Sequence, residues 1–444
     1  MKRREFLKNA AVLAAAAGSA DLLAASKTAE TTAKKASEAP QTDGKLIVSA
    51  PMLQNYAEKS MGVAFAVSAL ANGYVIYGKK PDLSDGRKVK CGGFRATTIH
   101  DEVMHVRLKG LEPATKYYYK IGADRIDYQD GYHMYVVGNE EDPQIYSFTT
   151  AGKGAKAHFC VINDTHKFWH SFAKITEKIA SLAPSCVVWN GDANNREETL
   201  PDLVETFLVP NIPMKDYAAR TPFLFAPGNH DQRGFAGRRM ENIWMFRQPD
   251  ERASRDWDLG RNFAVRMGDV ALIGLDTGED KLDGNPLFAG LFNNEAYREA
   301  QVEWLKDALA SKEIAEAPFL VAFCHIPLFD PRPDANPGDL YPADVAPGFK
   351  RDYAAWQRAC SKLWGPLLDE AGCQLLIVGH QHGFRYDAPS KGRGWAQIVG
   401  GAPDNTKERY STVIEGLVER GELKINVHNL FTGKVEASFS FKSR

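Results

Sequence analysis

The chain has 444 residues, of which 44% are hydrophobic and 25% are charged, and its formal net charge is −1. This length allows more than one domain with a buried core, and the composition is that of an ordinary globular protein. The nearly balanced charge excludes the basic surface typical of general nucleic-acid binding or attachment to anionic membranes. We therefore expect no nucleic-acid partner, and composition identifies no substrate.

The N-terminus has the pattern of an export signal. Residues 2–8 are basic and include Arg3 and Arg4, and an Ala-rich apolar run follows over residues 10–17. This run is far shorter than the roughly 20 residues that span a bilayer, so we expect no stable membrane span. The pattern favours a removable signal over residues 1–25 rather than an ordinary helical N-terminus. It resembles bacterial twin-arginine signals, which implies the twin-arginine export machinery as a partner and a periplasmic or secreted protein.

Two segments precede the region that carries the motifs. Residues 26–44 are rich in Ala, Thr, Lys, Glu and Ser without apolar periodicity, which predicts a flexible linker. Residues 45–151 contain short alternating strands separated by turn residues, for example 62–67 and 73–78. Residues 111–122 include three consecutive tyrosines, and a Tyr in such a setting closes a sandwich corner in immunoglobulin-like folds. We therefore predict an all-β immunoglobulin- or fibronectin-type-III-like sandwich over residues 45–151.

Apolar strands alternate with amphipathic stretches over residues 156–444, which predicts an α/β fold with a layered β-sandwich core flanked by helices. Within this region, short polar motifs directly follow runs that resemble buried strands. The motifs are Asn163-Asp164-Thr165-His166, Gly191-Asp192, Gly228-Asn229-His230-Asp231, Cys324-His325-Ile326-Pro327 and Gly379-His380-Gln381-His382. Because α/β architectures place ligand sites at the carboxyl ends of strands, we expect the motifs to converge on one site.

The side chains of these motifs form a set of metal ligands. They offer imidazole nitrogens and carboxylate or amide oxygens without thiolate, which suits Zn, Fe or Mn. The Asp-x-His and His-x-His spacings are suitable because alternate residues of an extended segment point the same way. One such motif alone is more often a turn with surface histidines, whereas the complete set is what a metal site requires.

Other polar residues of the region allow more than one interpretation. Asp276 follows a further strand, and we interpret it as a cap of that strand end. Four cationic residues either contact substrate phosphate or are solvated surface groups; they are His170, Arg233, Arg238 and Arg239. The cysteines show no metal-ligand spacing and no dense disulfide framework, although a Cys360–Cys373 bridge is open in an oxidising compartment.

In residue type, order and placement, the motifs resemble those of the calcineurin-like metallophosphoesterase superfamily over about residues 156–402. With the N-terminal sandwich, the layout resembles that of purple acid phosphatases. The resemblance implies a metallophosphoesterase fold and two divalent or trivalent metal ions (Fe, Mn or Zn). The ligands that it implies are Asp164, His166 and His382 for the first ion, Asn229, His325 and His380 for the second, and Asp192 as the bridge.

The resemblance also implies the catalytic residues. His230 would protonate the leaving oxygen or stabilise its charge, and Asp231 would orient its imidazole, as carboxylates commonly do. Many relatives have Glu at the position of Asp231. Two ions about 3.5–4 Å apart would lower the pKa of a bridging water, and the resulting hydroxide would attack phosphorus in line with the leaving alcohol.

The chain departs from the purple acid phosphatase pattern at two positions. Those enzymes have Tyr three residues after the bridging Asp, where this chain has Asn195, and they have Gly at the position of His166. The ligand count is preserved, since one His is gained and one Tyr is lost. We therefore expect the purple acid phosphatase layout with a general metallophosphoesterase site that lacks the coloured tyrosinate.

The sequence thus predicts an exported dinuclear-metal phosphohydrolase whose substrate is a small-molecule phosphoester, most simply a phosphomonoester. A phosphodiesterase or nucleotide hydrolase with the same site is the alternative within this chemistry. An alternative of another class is a cell-surface binding module with a vestigial hydrolase domain.

Overall fold

The computed structural model describes residues 44–92, 96–97, 99, 102–247, 257–331 and 349–444. Within them, residues Leu46–Arg444 form one compact unit. The predicted export signal and all but the last residue of the predicted linker lie outside the described residues. Among those described, no helix combines the length and apolar character needed to cross a membrane.

The described strands and helices have the following bounds. The strands are β1 (Met52–Gln54), β2 (Ser60–Ala66), β3 (Ala71–Gly78), β4 (Arg87–Lys90), β5 (Val103–Lys109), β6 (Lys116–Asp130), β7 (His133–Glu141), β8 (Tyr146–Thr149), β9 (His158–Ile162), β10 (Cys186–Trp189), β11 (Phe223–Phe225), β12 (Phe263–Met267), β13 (Val270–Leu275), β14 (Phe319–Cys324), β15 (Leu375–Val378), β16 (Arg385–Asp387), β17 (Ala396–Val399), β18 (Thr412–Glu419), β19 (Glu422–Asn429) and β20 (Val435–Lys442). The α-helices are α1 (Trp169–Leu182), α2 (Leu200–Phe207), α3 (Asn294–Ala310), α4 (Lys312–Ala315) and α5 (Phe349–Glu370). Short 3-10 helices cover His230–Gln232, Gly237–Asn242 and Pro286–Phe288.

Two sheets and their covering helices form the layered core that the sequence predicted. A nine-stranded sheet has the order β20-β19-β18-β9-β10-β11-β1-β2-β5, and a six-stranded sheet has the order β12-β13-β14-β15-β17-β16. Their facing sides share one apolar core, in which the rings of Phe159 and Phe323 lie 6.1 Å apart. Helix α1 covers the outer side of the first sheet, and helices α3 and α5 cover that of the second.

The central strands are apolar on both faces because both faces are buried. In β9, Phe159 and Val161 belong to the core between the sheets, whereas Cys160 and Ile162 belong to the core beneath α1. Side chains that alternate between two buried faces explain why such strands appear in the sequence as continuous apolar runs.

The N-terminal sandwich shares a sheet with the rest of the molecule. A further sheet, β4-β3-β6-β7 with β8 paired to β6, packs against β2 and β5 through the common core. The hydroxyl of Tyr117 accepts a hydrogen bond from the backbone N–H of Glu112 at 3.0 Å, which is the expected tyrosine corner. Strand β1, however, pairs in parallel with β11. The nine-stranded sheet is therefore continuous across the predicted boundary at residues 151–156.

The structure settles two of the open interpretations. Asp276 is a buried residue at the end of β13 that accepts hydrogen bonds from the N–H of Gly278 and the hydroxyl of Tyr297. It is therefore a structural residue, as expected. Cys360 and Cys373 are free, buried thiols in the core beneath α5, so the bridge left open is not formed.

Candidate metal centre

The polar motifs meet at one end of the sandwich. Asp164 follows β9, Asp192 follows β10 and Asn229 follows β11, which are parallel neighbours in the first sheet. His325 follows β14 and His380 follows β15, which are parallel neighbours in the second sheet. Since each motif leaves the carboxyl end of its strand, the two sheets together place the side chains in one site, as the sequence predicted.

One group of possible ligands consists of Asp164, His166, Asp192 and His382, whose ligand atoms lie within 4.8 Å of one another. Nε2 of His382 lies 3.2 Å from Oδ1 of Asp164 and 3.2 Å from Nε2 of His166. Nε2 of His166 lies 3.6 Å from Oδ2 of Asp192. These are the residues that the resemblance implied for the first ion, together with the bridge.

The second group consists of Asp192, His325 and His380. Nε2 of His325 lies 3.1 Å from Oδ2 of Asp192, and Nδ1 of His380 lies 3.0 Å from Oδ1 of Asn229. Asn229 therefore offers its amide oxygen on the same side as His380. Asp192 belongs to both groups, which is the placement required of a bridging carboxylate.

The hydrogen bonds of two histidines fit metal binding through Nε2. Nδ1 of His325 lies 2.8 Å from the carbonyl of Asn190, and Nδ1 of His166 lies 3.0 Å from Oδ1 of Asn195. An Nδ1–H that donates to such an oxygen leaves the lone pair of Nε2 for an ion. Nε2 of His325 is buried and faces Oδ2 of Asp192, the carboxylate shared by both groups, at 3.1 Å. The donor set therefore fits two metal ions.

The members of the second group also interact through their charges. Burial disfavours the charged forms of Asp192 and His325, but their mutual attraction prevails. It lowers the pKa of Asp192 well below its usual range and raises that of His325 to about 10. Burial, followed by the charge of His325, lowers the pKa of His380 to about 3. A metal ion would compete with the proton on His325, so binding would release that proton.

The backbone at the ligands is held in a rarely populated conformation. Asp164, His166, Asp192, His380 and His382 have φ values of 54°, 45°, 50°, 70° and 53°. Residues other than Gly seldom adopt positive φ, and such strain concentrates at functional sites. Close packing around the ligands also explains the glycines of the motifs. For example, a Cβ at Gly228 would collide with Asp192.

His230 and Asp231 occupy different environments. The carboxylate of Asp231 is buried and accepts backbone N–H bonds from Asp192 and Gly228 at 2.8 Å each and from Ala193 at 3.0 Å. It therefore fixes the segments that carry Asp192 and Asn229. Burial, followed by the charge of Asp192, raises the pKa of Asp231 to about 7.

The imidazole of His230 is oriented by other groups than the one expected. Its Nδ1 lies 2.8 Å from the carbonyl of Asn195, and its Nε2 lies 2.9 Å from Nη1 of Arg233. The prediction that Asp231 orients this ring is corrected, since its oxygens are bound to the backbone. Burial lowers the pKa of His230. Its ring lies 4.9 Å from that of His166, at the edge of the first ligand group.

Of the four cationic candidates, Arg233 contacts His230, whereas the side chains of His170, Arg238 and Arg239 are exposed. The structure adds residues that the motifs did not indicate. The ring of Tyr353 stacks on that of His380 at 5.4 Å, and Nη2 of Arg409 lies 2.5 Å from Nδ1 of His382. Both come from segments without a motif, so no sequence signal marked them.

Comparison with known proteins agrees with this geometry. Residues 157–384, just over half of the chain, match the family described as calcineurin-like phosphoesterase. The chain belongs to that family. It is a metal-dependent phosphoesterase with a metallophosphoesterase fold. No curated protein sequence matches it.

Two solved structures are similar over most of the chain. The purple acid phosphatase PPD1 from yellow lupin (Lupinus luteus) seeds has a TM-score of 0.59 at 15% identity, and the alignment covers 88% of this chain and 74% of that one. A structure of PhoD has a TM-score of 0.61 at 12% identity, and the alignment covers 91% of this chain and 92% of that one. Identities this low show a shared fold alone.

The two departures from the purple acid phosphatase pattern are joined in this phosphoesterase. Asn195, at the position of the tyrosine, accepts the Nδ1–H of His166, the histidine that stands in place of Gly. Its amide nitrogen also lies 3.4 Å from the carbonyl of His166. The residue at the position of Tyr thus hydrogen-bonds to the histidine at the position of Gly.

Proposed function

We propose that the protein is an exported phosphohydrolase with two metal ions that acts on small-molecule phosphoesters, phosphomonoesters first. One observation carries this proposal: Asp192 is shared by two adjacent groups of buried ligands. Each group has enough donors to hold an ion, and a shared carboxylate would place the ions side by side. A vestigial domain would have no reason to keep this full set of strained ligands.

The bound ions would supply Lewis acidity, neutralise phosphoryl oxygens and lower the pKa of water. The chain's own part is to orient the ligands and to supply His230. Its ring stands beside the first ligand group without belonging to either group. Nε2 lies 2.9 Å from Nη1 of Arg233, so a leaving oxygen would take the place of Nη1 as the partner of a protonated Nε2. Placement next to the reacting atoms is what a general acid requires.

The test is metal analysis coupled to turnover of aryl phosphate monoesters and diesters after loading with Fe, Mn or Zn. We expect two ions per chain and faster turnover of the monoester. Asp192→Asn should abolish hydrolysis, whereas exposed Asp269→Asn should leave it unchanged. Absence of turnover with every metal would refute the enzymatic proposal and leave a binding module. Faster turnover of the diester would replace the monoester by the alternative substrate class.

The proposed export and the expected lack of a tyrosinate colour are tested separately. Arg3 and Arg4, replaced together by Lys, should retain the protein in the cytoplasm if the twin-arginine machinery exports it. Export unaffected by this change would remove that partner from the proposal. The iron-loaded protein should lack an intense visible tyrosinate band, because Asn195 stands at the position of the tyrosine.

A further inference from the structure

Arg233 lies between His230 and a pair of buried acids. Its Nε donates to Oε2 of Glu279 at 2.8 Å, and its Nη2 donates to Oε1 of Glu279 at 2.6 Å and to Oδ1 of Asp280 at 3.1 Å. The acids are 0% and 2% exposed, respectively. Burial disfavours the charged guanidinium, but the bond to Glu279 prevails and raises the pKa of Arg233. The guanidinium is therefore fixed along one edge.

The acid pair is itself held rigidly beside the metal centre. Buried Arg298 donates from Nη2 to the carbonyl of Glu279 at 2.5 Å, and Nζ of Lys281 lies 2.6 Å from Oδ1 of Asp280. The other oxygen of Asp280 lies 3.7 Å from Nε2 of His380. Buried carboxylates require such partners, and here two cations, Arg233 and Lys281, balance two acids. The position of Arg233 is thus tied to the second ligand group.

The remaining nitrogen of Arg233 faces the site. Within the described residues, the neighbours of Nη1 are the ring nitrogens of His230, with Nε2 at 2.9 Å and Nδ1 at 3.4 Å. The ion pairs of Arg233 with the two acids use only Nε and Nη2. They do not require Nη1 to lie beside His230. A substrate oxygen within reach of Nε2 of His230 can also be reached by Nη1. The guanidinium carries a second N–H on Nη1 for that purpose.

The geometry points to Arg233 as a substrate-binding residue that donates from Nη1 to a non-bridging oxygen of the phosphoryl group, which makes a phosphomonoester dianion the preferred substrate. The inference rests on the proposed phosphohydrolase function and specifies its substrate class. A fixed positive charge stabilises a dianionic terminal phosphate more than the monoanion of a diester. Arg suits this position because its planar fork binds Glu279 and substrate with different edges.

The test compares Arg233→Ala and Arg233→Lys with Arg239→Ala, a matched change at an exposed site. The readouts are kcat/KM for p-nitrophenyl phosphate and for bis(p-nitrophenyl) phosphate, inhibition by inorganic phosphate, metal content and Tm. For both Arg233 variants, we expect kcat/KM for the monoester to fall about 10- to 100-fold, the range of a lost charge-assisted hydrogen bond. The inhibition constant of phosphate should rise similarly, and kcat/KM for the diester should change less than about threefold.

Arg233→Lys keeps a positive charge beside Glu279. If Arg233→Ala loses its metals or unfolds, the kinetics and phosphate inhibition of Arg233→Lys therefore decide whether Arg233 binds substrate. Equal losses on both esters with unchanged phosphate inhibition, or no loss at all, would overturn the inference while the phosphohydrolase function stands. A wild-type protein that cleaves only the diester would overturn it as well. If the wild type cleaves neither ester, the proposed function fails, and direct binding of inorganic phosphate to the metal-loaded variants then decides the role of Arg233.

Discussion

Asn195→Ala should weaken the first metal site selectively. The substitution removes the side-chain oxygen that accepts Nδ1–H of His166 at 3.0 Å, but it keeps the backbone carbonyl that holds His230. Loss of such an outer partner of a metal-binding histidine typically costs about 10- to 100-fold in affinity. At 1.4 kcal/mol per tenfold, this corresponds to about 1.4 to 2.8 kcal/mol. The second group, with His325 bound to the carbonyl of Asn190, should be unaffected.

The assay is competitive titration of each metal against a chelator, with metal content measured at every step. Asn195→Asp, which restores an acceptor, should recover most of the affinity, and Asn211→Ala at an exposed site is the control. Equal weakening of both ions, an unchanged first site, or failure of the Asp variant to recover affinity would each refute the role given to Asn195.

Three further outcomes are expected. His230→Ala should lower kcat about 100- to 10,000-fold on esters with poor leaving groups and much less on nitrophenyl esters, with unchanged metal content; equal losses on both would contradict the general-acid role. Hydrogen bonds from His158 and His428 hold the pKa of Glu415 below its ordinary value of 4.5. A carboxylate whose folded-state pKa is lowered contributes stability above pH 4.5, and this contribution is lost as the pH falls through the folded-state pKa. The destabilisation that Glu415→Gln causes in urea unfolding should therefore shrink as the pH falls below 4.5. A destabilisation that stays constant over this range would refute the role of these hydrogen bonds. Tyr117→Phe should cost about 1 kcal/mol in the same assay, because the N–H of Glu112 loses its acceptor, and an unchanged midpoint would show that the corner adds no stability.

The layout of the metal centre could be predicted because its signal is local. Each ligand directly follows an apolar run such as Phe159–Ile162, and parallel strands bring their carboxyl ends to one edge. The motif residues then lie close together whatever the details of the loops. Residue type and position relative to a strand were therefore sufficient to predict the convergence.

Contacts that depend on side-chain direction could not be predicted in this way. Asp231 lies in the 3-10 turn His230–Gln232, which directs its carboxylate inward to the backbone and the ring of His230 outward to Arg233. Because His230 and Asp231 are adjacent in sequence, their side chains were expected to interact, whereas the turn directs them apart. Tyr353 and Arg409 reach the site from segments whose placement depends on tertiary packing.

The pairing of β1 with β11 has a consequence for how this protein can be shortened or recombined. A fragment that began at β9 would leave the backbone of β11 as an open edge, and such edges pair with other chains and promote aggregation. It would also uncover the apolar side chains that the N-terminal strands bury. The N-terminal strands are therefore not an interchangeable module. Insertions or deletions that preserve the enzyme should leave the pairing of β1 with β11 intact.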